Sequence, residues 1–272
     1  ISNYCDKSLI RNYLAYSVAS QFDKLSHTSK GQFIDLYING EYCGVYMLCE
    51  QVEVKEHRVE IPTTSDVDTG YLIELDSRGS GAGVYIFGKF HEIKSPDPSD
   101  ELSTEQVRFI VTYLNNAYNT AVYKSYAEVE ELIDTRSFAQ SYIVHELFNC
   151  VDVGYASFYL QKDAGGKLQC GPVWDFDRSA GNVRNNEDAR RYDSLWAKQS
   201  NVWFNALLKH EEFRILVAEI LAEYKPKIEA TLQSCYATLY AGEEGFDRNF
   251  ERWKILGTYV WPNPDELNAM GS

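Results

Sequence analysis

The chain has 272 residues, a formal net charge of −14, and 44% hydrophobic and 14% aromatic residues. That length and composition suit a two-lobed domain or two small ones with a sizeable core, and they argue against disorder. The acidic balance argues against a sequence-independent grip on nucleic acid, which needs a basic footprint, and no apolar run approaches the ~20 residues that span a bilayer.

In chain order, Asp6 reads as a cap for an amphipathic helix over 6–22, with Ile10, Leu14, Val18 and Phe22 each four apart. Residues 32–38 and 43–49 read as strands of a hairpin closed by Asn39-Gly40, a pair that supplies the positive φ angles of a tight turn. Cys43 and Cys49 fall in this hairpin, which leaves a disulfide across it open; the six cysteines form no C-x-x-C pair and no zinc-like spacing. Residues 70–76 and 84–94 read as further strands completing a small antiparallel sheet, with Glu74 in the first and Lys94 at the end of the second. Ser103-Thr-Glu-Gln106 is a capping box opening a helix, and Asp134 caps another that runs through Phe138, Tyr142, Ile143 and Leu147. The segment from Asn182 to Ser200 reads as an irregular exposed loop with Arg178, Arg184, Arg190 and Arg191 among acids. Beyond Trp203 the apolar spacing is helical, with Pro226 punctuating between two helices. The chain begins at Ile1 without an initiator Met, as expected if a leader or neighbouring domain has been removed.

The chemistry concentrates between Asn149 and Asn182. Asp152 sits in a Val-Asp-Val-Gly turn after a helix; an aromatic strand at 158–161, a glycine-rich tip at 163–167 and a returning strand lead to Trp174-Asp175-Phe176-Asp177. Aspartates spaced i, i+2 point to one side of an extended backbone, and carboxylate oxygens are what Mg²⁺ takes when it also holds phosphate. By itself Asp152, two residues before a glycine, equally reads as an Asx-type turn residue, and Lys94 as a solvated strand end. The five dispersed histidines supply neither H-E-x-x-H nor a nucleophile elbow, so metalloprotease and serine-hydrolase chemistry lack their minimal parts.

The order Asp152, Ser157, hairpin, Asp175-Phe176-Asp177 parallels the protein-kinase core, where an Asp precedes an Asn by five positions and Asp-Phe-Gly follows a hairpin. Together with Tyr37-Ile-Asn-Gly-Glu-Tyr-Cys-Gly-Val-Tyr46, Glu50, Gly171-Pro-Val-Trp-Asp-Phe-Asp177 and Gly181-Asn182, the chain resembles the CotH kinase family, the atypical kinases named after spore coat protein H. The resemblance implies an α+β, atypical protein-kinase-like fold in one domain spanning 1–272. In it, 1–125 would form a small antiparallel β lobe with a helix, and 126–272 the catalytic strands and a mainly helical lobe. It implies ATP with Mg²⁺ or Mn²⁺ as cofactors, a protein partner offering Ser/Thr hydroxyls, and a cell-surface or extracellular location. Asp152 would orient the acceptor, Asp175 and Asp177 would bind metal, and Lys94, Glu50 and Ser157 would bind the nucleotide and its metal. Ser157 stands where the kinase core has Asn, and Glu74 where the family pattern carries lysine. Those two departures favour the alternative, a non-catalytic pseudokinase or surface interaction module on the same fold.

Overall fold

The structure, a computed structural model, describes residues 1–25, 27–97 and 102–269. Helix α1 (Arg11–Ala19) precedes the hairpin β1 (Gly31–Ile38) and β2 (Glu41–Cys49), then β3 (Tyr71–Leu75), β4 (Gly83–Ile86) and β5 (Lys89–Ser95). Helices α2 (Thr104–Tyr123), α3 (Tyr126–Leu132) and α4 (Thr135–Leu147) lead to β6 (Phe158–Lys162) and β7 (Leu168–Cys170). The chain ends in α5 (Glu187–Arg190), α6 (Trp196–Ser200), α7 (Val202–Leu207), α8 (Glu211–Ala241), α9 (Glu243–Arg252) and α10 (Asp265–Ala269). Small antiparallel sheets joined to a helical region make the protein α+β, as expected.

The sheets divide differently from the sequence expectation. β1 and β2 form a two-stranded sheet of their own, while β4-β5-β3-β6-β7 form a five-stranded antiparallel sheet. All five residues of β3 are buried, so it must be covered on both faces and paired on both edges; β5 takes one edge and β6 the other. The strand expected over 84–94 is broken by a tight turn at Phe87-Gly88, both at positive φ. Strands from both sides of residue 125 therefore share one sheet. The β1-β2 hairpin leans instead on α9, where Asn249 Oδ1 accepts from Val45 N at 2.9 Å and Trp253 Nε1 donates to Cys43 O at 2.8 Å. Gly44 lies at φ +108°, and a Cβ there would come within 2.7 Å of both Asn249 Oδ1 and Trp253 Nε1, so the residue must be glycine. Cys43 and Cys49 both lie on β2, one strand rather than two, and cannot meet; all six cysteines are free thiols.

Three local expectations shift. The first helix is shorter than 6–22: Asp6, fully buried, lies outside α1, where its carboxylate accepts from Ser8 N and from Arg11 N at 2.9 Å and pairs with the Arg11 guanidinium. Pro226 does not end a helix. α8 runs through it, because Phe213, Ile220, Tyr224, Ile228 and Cys235 bury a stripe on both sides of the proline and outweigh its missing donor. The 182–200 segment is not wholly irregular or exposed: α5 and α6 form within it, and Ala189 and Ala197 are fully buried. The predicted caps of α2 and α4 are present, Ser103 and Gln106 bonding reciprocally and Asp134 accepting from Ser137 N.

One face of the five-stranded sheet packs on the helices through Tyr71, Ile73, Leu75, Phe158 and Leu160. There Trp203 Nε1 donates to His91 Nε2 at 2.8 Å, and His145 Nδ1 bonds Ser141 O at 2.8 Å among Phe158, Phe176 and Phe204. Burial pushes both imidazoles down to about 4, so they are neutral packing groups. The opposite face carries Leu72 and Tyr159, with Glu74 directly opposite Tyr159 on β6 and Glu92 on β5. Among the described residues no helix is long and apolar enough to cross a membrane.

Candidate active site

The site forms where the chain leaves β7. The strand ends at Cys170, and residues 171–176 run irregularly, so the expected i, i+2 alternation of a strand is not what brings the two aspartates together. Asp175 instead sits at φ +62°, a left-handed conformation that costs a non-glycine residue about 1–2 kcal/mol. Its backbone N–H donates to Tyr16 Oη at 3.2 Å, and the next amide, Phe176 N, donates to Asn12 Oδ1 at 2.6 Å. Phe176 is fully buried against His145 and Phe148, while Trp174 stacks on Tyr16 with centroids 5.8 Å apart.

Beside this turn lies Asp177, whose charge acts on the Asp175 carboxyl. Asp177 Oδ2 accepts from Cys5 Sγ at 2.9 Å, and its carbonyl accepts from Asn182 Nδ2 at 2.8 Å. Asn182 is fully buried and held in turn by Asn263, which gives the Gly181-Asn182 string a physical duty: it fixes the acidic loop from behind. Ser157, also at positive φ, donates from Oγ to Asp175 Oδ2 at 3.4 Å. Burial, then the charges of Asp177 and Asp152, push the Asp175 carboxyl up to about 7.

Asp152 enters from the turn after α4. Its carbonyl accepts from Tyr155 N and Ala156 N, so it does close a turn. Its carboxylate is separately engaged by Arg178, whose Nη1 lies 2.8 and 3.0 Å from the two oxygens. Burial pushes this carboxyl up, and the Arg178 charge pulls it back. Arg178 is therefore not a loop-surface arginine, as the sequence suggested; the residue after Asp177 folds back onto Asp152 and rests over the Trp261 ring.

Lys94 stands on the outer sheet face with its Nζ 3.1 Å from Glu92 Oε2 and 3.6 Å from Glu74 Oε2. Glu74 is the more buried partner, and burial raises its carboxyl against the pull of Lys94 and a hydrogen bond from Tyr159. Burial and then Glu74 push the Tyr159 hydroxyl up, so this ring packs against the lysine cluster. Glu50 is not brought to either cluster. Its Oε2 accepts from Lys30 N at 2.7 Å, its carbonyl accepts from Ser29 Oγ, and it lines a hollow of about 450 Å³ with His27, Lys30, His57 and Arg58. Glu50, expected at the nucleotide, instead ties down the start of β1, and Glu74 lies beside Lys94.

Four contributors escaped the sequence reading: Arg178, Asn12, Tyr16 and Cys5. Only Arg178 carried a signal, its adjacency to Asp177. The α1 residues were hidden because the apolar period drew attention to the opposite face.

Among the described residues no group of three or more His, Cys, Asp or Glu is arranged to hold a metal ion unaided. Two neighbouring aspartates, with a serine hydroxyl on the carboxyl of Asp175, nevertheless fit a cation that keeps water and takes its remaining ligands from phosphate, as Mg²⁺ does. An acidic pair, a further aspartate held by arginine and a lysine-bearing sheet face are the features this α+β fold presents here. A family model described as CotH kinase protein matches residues 1–261, and the chain belongs to the CotH kinase family. No curated protein matches it.

Proposed function

We propose that this protein is an atypical protein kinase that transfers the γ-phosphate of ATP to Ser/Thr hydroxyls of a protein substrate, with Mg²⁺ or Mn²⁺. The observation that supports it best is the Asp175 carboxyl, mostly buried at a left-handed turn, met by the Ser157 hydroxyl and pushed up by burial and the charges of Asp177 and Asp152, a place that calls for a counter-charge. Bound metal would supply that charge and neutralise the phosphates during transfer.

The chain's own residues do the rest. Asp175 and Asp177 hold the metal, with Ser157 hydroxyl completing the polar wall in place of an amide oxygen. Arg178 occupies one side of the Asp152 carboxylate and fixes its plane; the remaining lone pairs are free to orient an acceptor hydroxyl and take its proton. Burial lifts Asp152 and so makes it a better proton acceptor than an exposed carboxylate. Lys94, set between Glu74 and Glu92, is the cation available for nucleotide phosphate. In this reading Glu50 is structural, and the residues on both sides of position 125 act as one domain because one sheet runs through both.

A pseudokinase reading keeps one specific observation in its favour: Lys94 is already paired with two carboxylates. Thermal unfolding with ATP and metal separates the readings. The proposal expects stabilisation of about 3 kcal/mol at a ligand concentration roughly 100 times Kd, several degrees in Tm, only when Mg²⁺ or Mn²⁺ accompanies ATP. A protein unmoved by ATP and metal together is no kinase.

A further inference from the structure

The acidic loop is built on α1, a helix that carries no catalytic role in the proposal. Asn12 and Tyr16 lie one helical turn apart, both almost completely buried, and present their oxygens to consecutive amides, those of Phe176 and Asp175. These amides lie beyond Cys170, where β7 ends, so no strand pairs with them and they need side-chain acceptors. Arg11 on the same helix turns its Nε to Ser179 O at 2.9 Å, and Cys5, just before the helix, holds the Asp177 carboxylate. The contact falls where the backbone is left-handed, at Asp175. An extended Asp175 would direct its carboxylate away from the Ser157 hydroxyl, which reaches it at 3.4 Å across this turn.

We propose that Tyr16 and Asn12 are positioning residues: their oxygens hold the left-handed turn at Asp175, and thereby set how tightly the Asp175–Asp177 pair binds a divalent cation. The proposal deepens the kinase reading and rests on its assignment of these aspartates as metal ligands. Neither residue touches nucleotide or acceptor in it; both act through the backbone they hold.

The test uses Mn²⁺ alone as the probe, its free fraction read by electron paramagnetic resonance, on the full chain. Tyr16→Phe deletes one oxygen and keeps the ring stacked on Trp174. Asn12→Ala deletes the other acceptor. Tyr224→Phe, which loses a comparable bond to Asp23 far from the site, is the matched control. Each site variant should raise the Kd for Mn²⁺ about five- to tenfold, the factor one neutral hydrogen bond is worth. Amide exchange at residues 175 and 176 should quicken, and the control should do neither. Mn²⁺ affinity unchanged in a folded Tyr16→Phe protein overturns the proposal, as does a wild type that binds no Mn²⁺; if Asn12→Ala does not fold, Tyr16→Phe decides. A wild type that transfers no phosphate, while Tyr16→Phe still weakens Mn²⁺, removes the kinase reading and leaves this inference standing.

Discussion

Replacing Asp175 by Asn should make the metal-free protein more stable at about pH 8, although it removes a carboxylate on which the proposed reaction depends. In the folded protein burial and the charges of Asp177 and Asp152 push this carboxyl from 3.8 to about 7. A rise of about 3 units at ~1.4 kcal/mol each means that ionising Asp175 costs the folded state about 4 kcal/mol relative to the unfolded chain. Because the folded pKa lies above the unfolded one, the folded state holds the proton longer. Its stability is full below about 4 and is lost as the pH rises through about 7. Asn carries no charge to lose, tolerates the left-handed backbone and keeps an acceptor for Ser157; a weaker bond to Ser157 offsets roughly 1 kcal/mol. Urea unfolding in a chelator should therefore show Asp175→Asn about 2–3 kcal/mol more stable than wild type at about pH 8, with the advantage gone by about pH 4. Adding Mn²⁺ should stabilise the wild type alone and close the gap. A variant that is less stable at about pH 8, or a difference that does not change with pH, would refute the claim that these carboxyls crowd one another.

Trp203→Phe should destabilise the protein by roughly 1–3 kcal/mol in urea, since it strands the buried His91 Nε2 without a donor; a loss under about 0.5 kcal/mol would show the bond to be dispensable. Lys94→Met should weaken binding of a non-hydrolysable ATP analogue about tenfold or more, as expected for a lost charge-assisted contact, while leaving binding of Mn²⁺ alone near wild type. Equal nucleotide affinity in the two proteins would remove Lys94 from the site.

Much of the fold was legible where local chemistry decides it. The Ser103–Gln106 box, the Asp134 cap and the Asn39-Gly40 turn each depend on neighbours in sequence, and each is formed. Pairing of β3 with β6 was not legible, because it joins residues far apart and the only clue, the apolar density of Tyr71–Leu75, does not name a partner. The same holds within the site. Asp152, Asp175 and Asp177 were singled out by their spacing around a hairpin, and in the structure Ser157 reaches Asp175. Asp175 and Asp177 do not sit on an alternating strand: residues 171–176 are irregular and Asp175 is left-handed. Glu50 was misplaced because a strand end says nothing of direction; its carboxylate turns back to Lys30. Pro226 looked like a stop because its cost is local, while the burial that carries α8 through it is spread along the helix.

The central claim is phosphate transfer with Asp152 as the residue that orients the acceptor. Its most direct measurement is transfer of labelled γ-phosphate from ATP to a Ser/Thr-rich protein or peptide by wild type and Asp152→Asn, with Mg²⁺ and Mn²⁺ varied. Asn makes the same backbone turn, so the variant should fold and bind metal and ATP near wild type while transfer falls about a hundredfold or more, the range lost with a positioned general base. Near-normal transfer by the folded variant, or metal-dependent ATP binding with no transfer by the wild type, would contradict it.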